Sequence, residues 1–501
     1  MELSFSHKTA SVYREKAHPI QRAQETFESV VPDTDEDIGR ILSTRASVLL
    51  KSKEATEHGV LVGGEIQAVL LYITENENGV ACVKLHKPFE MAFELGRRPE
   101  ENLCQIRLSV CSTEARILNP RKVSATVELL GELSCYSQEE IHLETLLNEQ
   151  TEPLLHVRRE EGETSAVNAV CEKSFALNDQ LRFPEGKPVP DRLASQEIRF
   201  SADSVQQVGS RAVIKGRAFV DLCYFSEGVD YPLFTRFELP FSQIVDTGAE
   251  NCSGCTLHFE VTSVWFELID TISGEKALDT EVHAVLELVS RETLKVSWFS
   301  DAYCNRMPLQ SATQSLSLQT VSEPRQLMLS GEGSVAIAED CSDVLCVLPT
   351  LGSVSLREGE LSAPVGLDIL YRTEGGGLAA VHRSFEPGKQ SLPAESRLVA
   401  ARLSSADVRP EGRAIRCRME VEAQVQNTAT REITELSGVV LQEEDAWKPE
   451  QFPSVTLVRA GGEEELWTLA KRFHSSVEAI RALNGEERIK GGKALLIPRE
   501  G

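Results

Sequence analysis

Three short stretches of this chain end in tyrosine and share one alternating pattern of apolar residues. They are GEIQAVLLY at Gly64–Tyr72, GRAFVDLCY at Gly216–Tyr224 and APVGLDILY at Ala363–Tyr371. In each stretch, every second residue before the tyrosine is apolar. These residues are Leu70, Ala68 and Ile66 in the first stretch, Leu222, Val220 and Ala218 in the second, and Ile369, Leu367 and Val365 in the third. Two residues is the side-chain period of a β-strand, so each stretch is predicted to be a strand with the same face turned inward.

The residues around these stretches also repeat. Pro88-Phe89 places its phenylalanine seventeen residues beyond the first tyrosine, and Pro240-Phe241 does the same beyond the second. The third copy is shorter, with Phe385 fourteen residues beyond its tyrosine and no proline before it. A spacing of about 150 residues is far longer than a solenoid unit, which indicates three whole duplicated domains.

Within the first copy, apolar stretches alternate with polar, turn-forming clusters at intervals of roughly ten residues, which favours an antiparallel sandwich or open barrel. A short helix is predicted at Asp35–Leu42, where acidic residues would suit a helix N-terminus. Strands are predicted near Ala46–Lys51, Gly64–Ile73, Ala81–Phe89, Gln105–Thr113 and Val123–Ser134.

The end of the chain follows a different pattern. Val455–Arg459 alternates as a strand, Leu466, Leu469 and Phe473 lie on one helical face, and Ala494–Pro498 returns as a strand. Ser475 and Glu478 have the spacing of a capping box, which predicts the start of a second helix. The order strand, helix, helix, strand therefore fits into about 45 residues.

The predicted fold is mainly β: three repeated antiparallel domains of β-sandwich or barrel-like form, followed by a small βααβ module. The stretch before the module holds two prolines among polar residues, which is typical of a linker. The predicted bounds are 1–150 for the first repeat, 165–309 for the second, 325–445 for the divergent third, 446–453 for the linker and 454–499 for the module.

The charge balance narrows the classes of partner. The chain holds 52 Lys and Arg against 77 Asp and Glu, a net charge of −25, which argues against nucleic acid and anionic lipid because both need clustered cations. No run approaches the roughly 20 apolar residues that span a bilayer, so no membrane span is predicted. The first residues lack a basic segment followed by an apolar one, so we expect the protein to stay in the cytosol of the cell that makes it.

The sequence contains no signature of an enzyme. None of the common protease, hydrolase, nucleotide-binding or dinucleotide-binding motifs occurs, and the lone CxxC at Cys252–Cys255 lacks the second ligand pair of a zinc site. We therefore predict no catalytic residue, no metal and no cofactor. The turn NPRK at Asn119–Lys122 has two interpretations: a type I turn that leads into a strand, or a positively charged contact for a partner.

The C-terminal module resembles the LysM family. The matching residues include Leu466-Trp467, Ala470–Phe473, Val477-Glu478, Leu483-Asn484 and Ile497-Pro498. The resemblance implies recognition of N-acetylglucosamine glycans such as peptidoglycan, in a groove between the first strand–helix loop and the second helix–strand loop. This chain departs from the family where GGEEE replaces the usual Gly-Asp-Ser/Thr before the first helix.

Two uses of the module stay open, protein docking and glycan binding. Either use would involve the two loops and the exposed side chains beside them. Trp467 lies outside the stripe of Leu469 and Phe473, so it is either a binding anchor or a cover for the small core. The candidate binding residues are Gly461, Gly462, Glu463, Glu464, Trp467, Asn484, Gly485 and Ile489.

The three repeats resemble the SPOCS domain, a spore-coat-associated family of sporulating Firmicutes. The matching motifs are VPDTDEDIGRIL from Val31, VLVGGEIQAVLLY ending at Tyr72, NPRKV from Asn119 and FPEGKPVPD ending at Asp191. SPOCS domains followed by one C-terminal LysM are typical of SipL-type coat morphogenesis proteins. The resemblance implies a scaffold in the mother-cell cytoplasm, at the forespore surface, whose partners are spore coat morphogenetic proteins.

Overall fold

The computed structural model of the protein describes residues 2–77, 79–147, 155–184, 186–271, 276–448, 452–459, 464–485 and 494–500. Strands make up 74% of the chain and helices 4%, which confirms the predicted mainly β fold. Among these residues the strands pair antiparallel, apart from one short parallel bridge between Ser297 and Glu144.

The first unit is a sandwich of two antiparallel sheets. Its strands are β1 (Glu2–Ser4), β2 (Ser6–Ala17), β3 (Ile20–Val30), β4 (Ile38–Ala55), β5 (Gly59–Thr74), β6 (Val80–Glu94), β7 (Cys104–Asn119) and β8 (Lys122–Leu146), with a 3-10 turn at Glu101–Leu103. One layer has the order β4-β5-β6 and the other β3-β8-β7. Ile66, Ile106 and Leu129 meet between the layers and are buried. All five strands predicted here are present, each longer than expected.

The helix predicted at Asp35–Leu42 is wrong. β4 begins at Ile38 and pairs with β5 from that residue onward. The acidic residues before it form a loop that binds Arg121, whose guanidinium donates to the Asp37 carboxylate at 2.6 Å and to the Pro32 carbonyl at 2.8 Å. The turn NPRK thus holds this loop in place, and the charge of its arginine is used inside the unit.

The other two units repeat this sandwich. The second contains β9 (His156–Arg182), β10 (Arg192–Val208), β11 (Arg211–Phe225), β12 (Leu233–Asp246), β13 (Gly254–Asp270) and β14 (Lys276–Tyr303). The third contains β15 (Leu309–Val321), β16 (Arg325–Ala336), β17 (Cys341–Leu351), β18 (Ser355–Arg357), β19 (Glu360–Ser362), β20 (Val365–Thr373), β21 (Leu378–Phe385), β22 (Gln390–Ser391), β23 (Ser396–Glu411) and β24 (Ala414–Leu441).

The three repeated tyrosines occupy equivalent places. Tyr72, Tyr224 and Tyr371 are all buried near the ends of the central strands β5, β11 and β20. Opposite each tyrosine the neighbouring edge strand carries a β-bulge, whose extra residue is Leu42, Ala194 or Leu345. A bulge at the same position in all three copies is a structural sign of duplication, since bulges are retained within families.

Two of the tyrosine hydroxyls make the same hydrogen bond. Tyr72 donates to the carbonyl of Glu36 at 2.9 Å and Tyr224 to that of Pro188 at 3.1 Å, in each case 36 residues upstream. Among the described residues, no hydrogen bond involves the hydroxyl of Tyr371. The first two tyrosines therefore also fasten the loop that precedes their sandwich.

Replacing Tyr72 or Tyr224 with phenylalanine is expected to lower the free energy of unfolding by about 1 kcal/mol, because the hydrogen bond to the loop carbonyl of Glu36 or Pro188 is lost. Tyr371→Phe is the matched control and should cost less than about 0.5 kcal/mol. Urea denaturation of the three variants measures both values. Equal losses at all three positions would contradict the assignment.

The repeated small residue and the repeated phenylalanine form one contact. Gly64 is the cross-strand partner of Phe89, and Gly216 that of Phe241. A Cβ atom on Gly216 would lie 2.2 Å from the carbonyl oxygen of Ser201 and 2.8 Å from the Phe241 ring. The Phe241 ring lies over the Cα of Gly216, where other residues have a side chain. Aromatic residues often cover strand glycines in this way. In the third unit Phe385 covers Gly333 instead, so the aromatic contact is kept with a different glycine.

The longest strand of each unit continues beyond its sandwich. The second half of β8 pairs with β2, that of β14 pairs with the first half of β9, and that of β24 pairs with β15. These extensions pack around a shared cluster that includes Phe5, Phe299 and Leu436, one residue from each unit. β1 also pairs with β24, and one seven-stranded sheet joins the first two units. The units therefore share sheets and a core and do not hang as separate beads.

The three-stranded layers of the units meet at a second shared cluster. Leu71, Cys223 and Leu370 lie there, each one residue before a repeated tyrosine, together with the bulge residues Leu42 and Ala194. Alternation along a strand sends the tyrosine into its own sandwich and the preceding residue toward the other units. Both faces of each repeated strand are thus buried near the tyrosine.

Carboxylates of the second unit cover part of the open edge of β7. Glu287 accepts from the backbone N–H of Ile106 at 3.0 Å, and Glu260 accepts from that of Leu108 at 2.7 Å. Lys53 lies 3.5 Å from Glu287. Edge strands expose unpaired backbone groups, and these contacts satisfy two of them at the interface between units.

Burial raises the pKa of Glu287 to about 7 from 4.5. A carboxyl whose pKa is higher in the folded state contributes its stability fully below the unfolded pKa, and this is lost as the pH rises through the folded pKa. The free energy of unfolding is therefore expected to fall by up to about 3 kcal/mol between about pH 5 and pH 8. Glu287→Gln keeps an acceptor for Ile106 but cannot ionise, so its profile should be flatter. Urea denaturation across this range measures both, and identical slopes would contradict the assignment.

The C-terminal module has the predicted βααβ order. It consists of β25 (Val455–Arg459), α1 (Leu466–Phe473), α2 (Val477–Asn484) and β26 (Ala494–Pro498), after a 3-10 turn at Glu443–Asp445. β25 and β26 pair antiparallel, and Leu469 and Ile480 are fully buried between helices and strands. The second helix is capped by Ser476, whose hydroxyl accepts from the N–H of Ala479, one residue later than the predicted cap at Ser475.

Candidate functional site

The predicted binding residues of the module divide into two groups. Glu464, Trp467, Asn484 and Gly485 belong to the described part of the chain. Gly461, Gly462, Glu463 and Ile489 lie outside the described residues. The position of a complete groove between the two loops therefore stays a prediction, and the chemistry of the site is argued from the first group and its neighbours.

Trp467 faces the body of the protein. Its indole N–H donates to the Asp301 carboxylate at 2.8 Å, and its ring packs edge-to-face on Tyr303 with 4.8 Å between ring centroids. Both residues belong to the end of β14. The hydroxyl of Tyr303 in turn donates to the carbonyl of Ser475 at 2.9 Å. The tryptophan thus anchors the module to its own chain, a role that the sequence interpretation did not include.

Ion pairs complete this attachment. Lys471 donates to Asp301 at 2.6 Å, and Arg158 donates to Glu465 at 2.7 Å. Burial alone would raise the pKa of Asp301, but the hydrogen bonds from Lys471 and Trp467 outweigh it and lower that pKa. The carboxylate therefore stays charged at neutral pH, and one face of the module is fixed on the strand end. Tyr303 is itself part of the module's core cluster.

The other described residues of the predicted site have structural partners. The amide of Asn484 donates to the carbonyl of Leu496 at 2.6 Å and accepts from its N–H at 2.9 Å, so it ties α2 to β26. Gly485 ends α2 in the left-handed region, with φ of 73°, where glycine is favoured. Glu464, just before α1, pairs with Arg472 in the last turn of that helix. Each of these contacts stabilises the module.

The two strands and the second helix of the module expose apolar side chains. Leu457 is 68% exposed and Leu496 44% exposed, and the two are cross-strand partners in β25 and β26. Leu483, 52% exposed, directly precedes the asparagine that bonds to Leu496. We call Val455, Leu457, Leu483 and Leu496 the tail patch. Clustered exposed apolar residues on a small module are typical of protein interaction sites.

The tail patch was not among the predicted site residues. Its signal in the sequence is that VTLVR and ALLIP are apolar on both strand faces, since Leu495 and Ile497 are buried while Leu496 points outward. A two-stranded sheet that covers one small core needs only one apolar face. The second apolar face is therefore in excess of what the fold requires.

The described residues show no arrangement for metal chemistry and no membrane-spanning helix. Across the described ranges, no group of three or more His, Cys, Asp or Glu is placed to hold a metal ion. No helix in that part of the chain has the length and apolar character needed to cross a bilayer. Comparison of the chain with protein-family models, with curated proteins and with solved structures found no match.

Proposed function

We propose that this protein is a non-catalytic assembly scaffold that docks to spore coat morphogenetic proteins at the forespore surface, in the mother-cell cytoplasm. The repeat and module motifs supply the cellular setting through their resemblance to SPOCS and LysM sequences. The observation that carries the docking proposal is the tail patch, which is exposed to solvent while Trp467 and Ser475 of the same module are held by Asp301 and Tyr303.

The attachment of the module favours docking through the tail patch. The module is held by an aromatic contact, two hydrogen bonds and two ion pairs, so a partner meets a surface whose orientation is already set. A preorganised surface loses less freedom on binding, which raises affinity for a given area. Exposed leucines at the centre of such a surface would be desolvated by a partner, and desolvated apolar side chains supply much of the binding energy.

Leu457→Asp and Leu496→Asp are expected to abolish recruitment of a fluorescent fusion of the full-length protein to the forespore surface. A carboxylate in the middle of a desolvated apolar contact costs several kcal/mol, which exceeds the margin of most interfaces. Both positions are exposed, so the module should stay folded, and far-UV circular dichroism checks this. Fluorescence microscopy during sporulation measures the recruitment.

Val208→Asp is the matched control, because Val208 is an exposed apolar residue, 62% exposed, on the body of the protein. The Val208→Asp variant should be recruited to the forespore surface like the wild-type protein. Unchanged recruitment of the Leu457 and Leu496 variants would contradict docking through the tail patch.

The alternative function is binding of peptidoglycan through N-acetylglucosamine glycan, which the LysM resemblance supports. The two functions differ in what the purified full-length protein retains. Glycan binding predicts co-sedimentation with insoluble peptidoglycan that survives Leu457→Asp, whereas protein docking predicts no such retention. Co-sedimentation of the wild type and the variant to equal extents would favour the alternative.

A further inference from the structure

A large cavity lies where the three units face one another. Its volume is about 1530 Å³, and each unit contributes four strands: β4, β5, β6 and β7 from the first, β10, β11, β12 and β13 from the second, and β17, β20, β21 and β23 from the third. Pockets for small ligands are typically about 300–1,000 Å³. This space is large enough for a segment of a polymer.

The cavity forms where the outward faces of the repeated strands change from apolar to polar side chains. The apolar cluster of Leu71, Cys223 and Leu370 closes the interface between the units beside the tyrosines. Val69, Asp221 and Asp368 lie on the same faces, two residues before Leu71, Cys223 and Leu370 in the sequence. Beyond the apolar cluster the units meet through polar contacts, such as the hydrogen bond that Ser43 donates to Asp368 at 2.6 Å. Carboxylates keep water around them and do not pack against one another, which leaves open space between the sheets.

The equivalent rows across the three sheets carry different charges. In the first unit the row is Arg45, Val69 and Lys84, aligned across β4, β5 and β6. The second unit has Glu197, Asp221 and Arg236 at these positions, and the third has Leu348, Asp368 and His382. The first row holds two cations and no anion. It is the part of the cavity suited to a negatively charged ligand.

Four of the five acidic side chains of the cavity have partners, and the fifth, Glu114, forms no ion pair among the described residues. Glu197 accepts from Arg45 at 2.8 Å, and Asp221 accepts from both Arg199 and Arg236 at 2.5 Å. Lys84 is exposed and forms no ion pair among the described residues. The lining holds six Lys or Arg against five Asp or Glu, whereas acids outnumber bases 77 to 52 in the whole chain. A cationic strip inside an acidic protein concentrates anions there.

An open strand edge borders the same strip. Within the described part of the chain β7 pairs only with β8, and Glu260 and Glu287 cover its other edge as far as Leu108. The following residues, Ser109–Ala115, line the cavity. Their unpaired backbone groups can pair with an extended chain, as in strand addition to sheet edges. A small anion could bind the cationic side chains but could not form backbone hydrogen bonds with β7, so the open edge favours a polypeptide ligand.

We propose that the cavity binds an extended acidic segment of a partner polypeptide, with a carboxylate on Lys84, the cation of this row that has no ion pair among the described residues, and with backbone pairing along β7. Alternate residues of an extended chain point to the same side, so acidic residues at every second position would all face the strip. This site is on the body of the protein and is separate from the tail patch. It gives the scaffold a second contact whose chemistry is electrostatic and not apolar.

The test uses the full-length protein and a fluorescein-labelled peptide of alternating glutamate and threonine. Fluorescence anisotropy should show saturable binding at peptide concentrations below ~1 mM, and the lysine–threonine counterpart should not bind. Lys84→Glu should weaken binding about tenfold, because it replaces attraction by repulsion. Lys8→Glu makes the same charge change on an exposed lysine outside the cavity and should stay within about twofold of the wild type.

Three results would overturn the proposal. One is the absence of binding at ~1 mM peptide. Another is an equal loss for Lys8→Glu and Lys84→Glu, which would mean attraction by general charge. The third is equal binding of polyphosphate or of a glutamate–threonine peptide with N-methylated amides, since neither can pair with β7. Full binding by Leu457→Asp would support a site that is independent of the tail patch.

Discussion

Replacing Gly216 with alanine is expected to lower the free energy of unfolding by about 2–3 kcal/mol, although only one methyl group is added. The new Cβ would lie 2.2 Å from the backbone carbonyl oxygen of Ser201, and a backbone atom cannot move aside without distorting β10. The Phe241 ring, at 2.8 Å, would also have to leave its place over the glycine. Urea denaturation followed by tryptophan fluorescence measures the loss, since Trp265 and Trp298 belong to this unit.

Gly254 provides the matched control. It also lies in a strand of the second unit, but a Cβ there would meet no heavy atom within 4 Å. Gly254→Ala reduces the freedom of the unfolded chain without a clash and should change stability by less than about 1 kcal/mol, in the stabilising direction. Equal destabilisation by both substitutions would show that strand glycines matter here for another reason than the close approach of Phe241.

The second large effect is expected at Leu469 in α1. Leu469 is fully buried in the small core of the C-terminal module, so Leu469→Asp places a carboxylate where no partner can reach it. A core this small cannot absorb a penalty of several kcal/mol, and the module should unfold while the β units remain folded. Limited proteolysis should then cleave the chain within the C-terminal module and leave the three β units intact.

Leu483→Asp separates unfolding from loss of docking. Leu483 lies on α2 of the same module but is 52% exposed, so its replacement should leave the module resistant to proteolysis. Both variants should fail to reach the forespore surface, the first because the module is unfolded and the second because the tail patch carries a charge. A protease-sensitive Leu483→Asp variant would contradict this distinction.

The two contacts proposed for the protein divide its surface by chemistry. The tail patch offers leucines held at a fixed angle to the body, and the central cavity offers Lys84 together with an open strand edge. A scaffold with one apolar and one electrostatic site can hold two partners at once. The two sites respond differently to salt, because screening weakens the electrostatic contact and leaves the apolar one nearly unchanged.

Much of the architecture could be predicted from local patterns. The two-residue alternation that ends at Tyr72 specified a strand, its inward face and, through its recurrence, the duplicated units, because side chains on a strand must alternate between faces. The βααβ order of the module followed in the same way from the helical stripe of Leu469 and Phe473. Register within one sheet is set by such local patterns.

Other features could not be predicted because they depend on residues distant in the sequence. The acidic stretch at Asp35–Leu42 looked like a helix start, but β4 gains ladder hydrogen bonds with β5 and the loop before it binds Arg121. Trp467 looked like a binding or covering residue of the module alone. Its partners, Asp301 and Tyr303, lie more than 160 residues earlier in the chain.

Local patterns in the chain were enough to predict the strands, their inward faces, the three repeated units and the helical module, since each follows from side-chain periods that a few neighbouring residues define. Three features follow from tertiary contacts alone: the units share sheets, a cavity lies between them, and the module lies against β14 with its leucines outward. Those features depend on which surfaces meet, and surfaces are brought together by burial and charge across hundreds of residues, which no local period records.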